Sequence, residues 1–73
     1  MRDVEIRQEP TELYKILKFE NLVESGGAAK AAIDEGLVSV NGEPESRKRR
    51  KIVSGDVIAF QGEELRIGLA GTS

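Results

Sequence analysis

At Gly36 the apolar residues of this chain change their spacing from a helical period to alternation, and an Asn41-Gly42 pair follows closely. Before that point Leu13, Ile16 and Leu17 fall on one helical stripe, with Lys15 and Lys18 off it. After it Val38 and Val40 share one face of a strand. Asn-Gly favours a two-residue hairpin because both central positions tolerate positive φ. A helical half feeding a hairpin half restricts the chain to an α+β architecture: two packed helices on a small, mostly antiparallel β-sheet.

The other elements follow from the same two periods. Asp3-Val4-Glu5-Ile6-Arg7 alternates polar and apolar, which predicts a short N-terminal strand with one wet face. Pro10-Thr11 opens the first helix, and Asn21-Leu22-Val23 crosses to a second. Ser25 caps that second helix by accepting from its unpaired backbone donors, and Gly36 ends it just after Glu35. Its side chains are small: Gly26, Gly27, Ala28, Ala29, Ala31 and Ala32, with Ile33 the one large apolar residue. Small residues allow close packing on the first helix, and they also leave bare N–H groups at its positive end for a phosphate. The two uses are compatible, since one concerns a face and the other an end. Ile52-Val53 and Val57–Phe60 read as strands joined through Ser54-Gly55-Asp56. Gln61-Gly62-Glu63 leads to a last strand carrying Leu65 and Ile67, and Gly71-Thr72-Ser73 is expected to fray.

A length of 73 residues accommodates one domain, 1–73, with a frayed end from about residue 70. Chains of this size bury only about 60% of their unfolded surface, which leaves little room for a deep catalytic cleft. There is no cysteine and no histidine, so neither a disulfide nor a thiolate or imidazole metal site is available, and no cofactor is expected. The 13 carboxylates have no histidine or thiol to work with, and Ser25 has no evident base. An enzyme is therefore not expected. The charge-alternating start, Arg2, Asp3, Glu5, Arg7, does not resemble a signal peptide or membrane span, and a soluble cytoplasmic monomer is the expectation.

Charge is distributed very unevenly. The formal total is −2, from 11 basic and 13 acidic side chains, but five bases are consecutive: Arg47-Lys48-Arg49-Arg50-Lys51. Without them 6 bases face 13 acids, a net of −7. All the positive excess is therefore local, and a field of that kind attracts polyanions whatever the total charge. A nucleic-acid backbone is the most economical target. In an extended segment Arg47, Arg49 and Lys51 would point one way and Lys48 and Arg50 the other; an irregular loop would relax that constraint. The bland alternative is a solvated loop that keeps a sheet edge from pairing.

The order Glu24-Ser25-Gly26-Gly27-Ala28-Ala29-Lys30, Ile33, Gly36, Val38-x-Val40-Asn41-Gly42 and Gly55-Asp56 resembles a known RNA-binding module. This is the small domain first recognised in the fourth small-subunit ribosomal protein, often called the αL motif. The likeness runs from about Leu13 to Ile58. Within that family the run Glu45-Ser46-Arg47-Lys48-Arg49, with Lys51-Ile52-Val53, is most similar to free-standing bacterial proteins of the YbcJ type, described as ribosome-associated. The resemblance implies RNA binding through the second helix and the loop after the Asn-Gly turn. Many members carry Arg or Gln near the position of Ala28, where alanine offers no contact; Lys30 is the candidate that this helix retains.

The candidate RNA contacts are therefore Arg47, Lys48, Arg49, Arg50 and Lys51 in the loop, with Lys30, Ser25, Gly26 and Gly27 at the second helix. Lys15, Lys18 and Asn41 are further candidates. Lys30 has an ordinary role open to it as well, an ion pair with Asp34 four residues on, worth about 0.2–0.5 kcal/mol. Lys15 and Lys18 serve equally as solubilising charge, and Asn41 serves first as turn chemistry. Tyr14 is expected to cover the edge of the core, Phe60 to lie within it, and the Asp56 carboxylate to bond local N–H groups. The expected partner is structured RNA, ribosomal or from an assembly intermediate. The rivals are a protein-interaction module whose basic loop docks on an acidic partner, and a rescue factor or nonspecific single-strand binder.

Overall fold

The computed structural model describes residues 1–70. Strand β1 is Arg2–Ile6, β2 Thr11–Glu12, helix α1 Leu13–Phe19 and helix α2 Gly26–Asp34. They are followed by β3 Val38–Val40, β4 Glu43–Pro44, β5 Lys51–Ile52, β6 Val57–Phe60 and β7 Glu63–Leu69. Five strands form one sheet in the order β1-β7-β6-β3-β4, while β2 and β5 form a separate two-stranded ladder. Only the β1–β7 pairing in the larger sheet is parallel, so the expected α+β fold with a mostly antiparallel sheet is what the chain adopts.

Alternation places one face of the sheet in the core. Val40 pairs with Ile58, Ile58 with Leu65, and Val4 with Ile67, and all five side chains are buried. Leu13, Ile16 and Leu17 of α1 and Ala29, Ala32 and Ile33 of α2 complete the same cluster, together with Phe60. Alanines on the buried side of α2 let it lie closely against α1, which is the packing role expected of its small side chains. Two-residue turns at Asn41-Gly42 and Gln61-Gly62 have positive φ at both central positions (53° and 86°, then 52° and 81°), the geometry that keeps hairpin strands in twist. Gly36 closes α2 at φ 78°.

Three boundaries differ from expectation, the first being β1, which runs Arg2–Ile6 instead of 3–7. Helix α1 opens at Leu13 instead of at Pro10-Thr11, because Thr11 and Glu12 pair with Ile52 and Lys51. The β5 strand is correspondingly Lys51–Ile52, one residue earlier than expected. The frayed end expected from about residue 70 falls, for 71–73, outside the described residues; the Ala70 N–H donates to the Ile6 carbonyl at 2.7 Å.

Candidate nucleic-acid interface

The basic run lies between β4 and β5 in an irregular loop, where the Arg50 N–H donates to the Arg47 carbonyl at 3.2 Å to form a turn. Its backbone is docked on the start of α1. Glu12, at the N-cap position, makes no side-chain cap, and the first helical N–H groups go elsewhere: Leu13 donates to the Arg50 carbonyl at 2.9 Å and Tyr14 to the Lys48 carbonyl at 3.2 Å. Unsatisfied donors at a helix start must find acceptors, and here the loop supplies them. The turn also removes the two-sided arrangement that an extended run would have. Arg47, Arg49, Arg50 and Lys51 line one open concavity of about 630 Å³, and Lys48 is exposed outside it.

A buried carboxylate organises these cations. Glu45 is 6% exposed, and its backbone N–H donates to the Val38 carbonyl at 2.9 Å, which ties it to β3. Its Oε2 accepts from both the backbone N–H and Nε of Arg47 at 3.0 Å, and its Oε1 accepts from Arg50 at 2.7 Å and from Arg47 at 3.2 Å. Charge-assisted bonds of this kind offset the cost of desolvating the carboxylate. The side-chain hydrogen bonds from Arg47 and then Arg50 hold its pKa down at about 2, and the same contact raises that of Arg47. Arg47 keeps 73% of its side-chain surface exposed, whereas Arg50 keeps 30%. Arg49 is also 73% exposed, with Nε 4.0 Å from Glu12.

At the start of α2, Ser25 Oγ accepts from the Ala28 N–H at 3.1 Å, as expected of a cap. The N–H groups of Gly26 and Gly27 have no partner among the described residues. A Cβ at Gly26 would stand 3.9 Å from the Tyr14 ring, so the ring lies against this helix end. Lys30 does not pair with Asp34 among the described residues; its ammonium sits 4.7 Å from the centroid of Tyr14. A cation over an aromatic face is attracted by the ring quadrupole, by about 0.5–1 kcal/mol at exposed sites, at least matching the exposed ion pair. Tyr14 thus reaches both candidate regions: its amide holds the loop, and its ring lies beside Gly26 and under the Lys30 ammonium.

The remaining candidates divide. Lys15 pairs with Glu12 at 3.2 Å, on the carboxylate that also approaches Arg49, and Lys18 is exposed on α1. The Asn41 side chain is engaged at both ends, donating to Asp56 at 3.0 Å and accepting from the Val57 N–H at 2.9 Å. Asp56 accepts from the Val53 N–H at 3.0 Å, the local bonding expected of it. Phe60 is buried and Tyr14 is packed on the edge of the core, both as expected. Glu45 was not among the sequence candidates. Its signal is an acid preceding five bases, and in sequence alone that looks like any solvated counter-charge. No metal-binding group of side chains occurs among the described residues, and no helix there is long and apolar enough to cross a membrane.

The S4-domain family model matches residues 4–68. The chain is 48% identical over 56 residues to YbcJ of Escherichia coli (strain K12), covering 77% of this chain and 80% of that protein. It is 39% identical over 59 residues to RlbA of Bacillus subtilis (strain 168), named a probable ribosome maturation protein, with 81% and 83% covered. The solution structure of E. coli YbcJ, described as revealing an αL motif involved in RNA-binding, has a TM-score of 0.69 at 43% identity. That match covers 92% of this chain and 86% of the other. Motif order, sequence and fold agree: the chain belongs to the S4-domain family.

Proposed function

We propose that the chain is a non-catalytic RNA-binding unit that docks on structured RNA, ribosomal RNA or a ribosome assembly intermediate, in the cytoplasm. The observation that carries this reading is the single concavity lined by Arg47, Arg49, Arg50 and Lys51, in an otherwise acidic chain. The loop grips phosphates, with Lys30 and the open N–H groups of Gly26 and Gly27 adding contacts at α2. Lys15 and Lys18 extend the positive surface along α1, and Asn41 serves the fold. Shape and phosphate spacing dominate over base sequence, because paired RNA offers few readable base edges to side chains. The acidic remainder orients docking by repelling RNA elsewhere. The relatives' names support the ribosomal choice, RlbA being named for ribosome maturation and YbcJ described as carrying an RNA-binding motif.

Crosslinking in cells, followed by sequencing of the bound RNA, tests this reading. Ribosomal RNA or its precursors should be enriched with the native chain and lost with Arg49→Glu/Lys51→Glu, two exposed cations outside the Glu45 bonds. Partners that survive nuclease treatment, with no enriched RNA, would favour docking on an acidic protein instead.

A further inference from the structure

Glu45 is an odd residue to find here. An RNA-gripping loop gains nothing electrostatically from a carboxylate in its midst, yet this one is buried and makes four hydrogen bonds to two of the loop's own arginines. We propose that Glu45 is a positioning residue of the RNA interface, an internal anion that folds the basic loop into its binding shape before RNA arrives. The inference rests on the RNA reading given above and goes beyond it by assigning different tasks to the five cations.

The loop is held at three places. The Glu45 backbone is tied to Val38 of β3, its carboxylate gathers Arg47 and Arg50, and the Lys48 and Arg50 carbonyls cap α1. Five adjacent cations repel one another, and an unanchored loop of this composition would be extended and mobile. One carboxylate placed among them cancels part of that repulsion and fixes the Arg47–Arg50 turn. Arg50, the less exposed of the pair, is then chiefly a structural cation, and Arg47 presents the rest of its guanidinium from a fixed base. Arg49, Lys51 and Lys48 make no hydrogen bond to Glu45 and stay available for phosphates. Preorganisation lowers the ordering cost of binding, so its loss weakens affinity even where the net charge becomes more favourable.

This gives a test in which the sign decides. Glu45→Gln removes one negative charge beside a polyanion site, and charge alone would tighten binding. Positioning demands the opposite: about tenfold or more weaker binding to purified ribosomal RNA at fixed salt, measured by filter binding, with the Arg47 amide losing its protection from hydrogen exchange. Glu45→Asp keeps the charge but draws the carboxylate back by one methylene. It should also bind more weakly than the native chain, and it remains informative if the glutamine variant fails to fold. Native affinity or better in whichever variant is folded overturns the proposal and leaves the RNA reading standing. Absence of binding by the native chain would overturn both.

Discussion

The Lys30 ammonium lies 4.7 Å from the centroid of the Tyr14 ring, while the Tyr14 amide donates to the Lys48 carbonyl at 3.2 Å. One residue of α1 therefore couples the basic loop to the only cation of α2. Tyr14→Leu should keep the backbone bond and remove the cation's platform, weakening RNA binding roughly 2- to 5-fold, the equivalent of about 0.5–1 kcal/mol. Tyr14→Phe keeps the ring face and should bind like the native chain. Anisotropy titrations of both variants check this; equal losses in the two would assign the effect to the hydroxyl.

Ser25 caps α2 through its hydroxyl bond to the Ala28 N–H. Ser25→Ala should cost about 0.5–2 kcal/mol. For a domain of this size each kcal/mol lowers Tm by about 4–8 °C, which calorimetry resolves. An unchanged Tm would mean that the hydroxyl has no structural task, and would return it to the set of direct RNA contacts.

Asn41 sits at φ 53° and bridges Asp56 and Val57. Asn41→Ala should destabilise the fold by roughly 0.5–1.5 kcal/mol, because the exposed bonds to Asp56 and Val57 are lost. RNA affinity of the folded protein should not change. Weaker binding with unaltered denaturant unfolding would contradict this and reinstate Asn41 as an RNA contact.

Acid should act through Glu45. Its folded pKa of about 2 lies below the ordinary 4.5, so its contribution to stability is complete above 4.5 and disappears as pH falls through about 2. The charged groups bonded to it are Arg47 and Arg50. Denaturant unfolding across pH 4.5 to 2 should therefore show the native chain losing more stability than Glu45→Gln. Parallel curves would mean that the carboxylate is not held in solution as it is in the structure.

The features legible in the sequence are those decided by local chemistry. Asn41-Gly42, the Ser25 cap, the Gly36 stop, the Asp56 turn and the alternating strands each depend on a few neighbouring residues and appear as expected. What was not legible depends on distant partners. The start of α1 is displaced to Leu13 by pairing of Thr11 and Glu12 with a segment forty residues away. Lys30 meets the Tyr14 ring because α2 packs on α1, a contact that helical spacing to Asp34 does not reveal. The basic run was visible as charge, but its division of labour was not, since burial of Glu45 is a tertiary outcome. That division changes the choice of mutations: reversing Arg47 would set a second acid against Glu45 and confound folding with binding, which Arg49 and Lys51 avoid.

The salt dependence of affinity for purified ribosomal RNA addresses the cationic grip most directly. If the loop and Lys30 neutralise three to five phosphates, log affinity against log salt should fall with a slope of about −2 to −4.5, at roughly 0.7–0.9 per contact. The slope should become shallower by about 1.4–1.8 in Arg49→Glu/Lys51→Glu wherever binding remains measurable. A flat response in the native chain would contradict the grip outright.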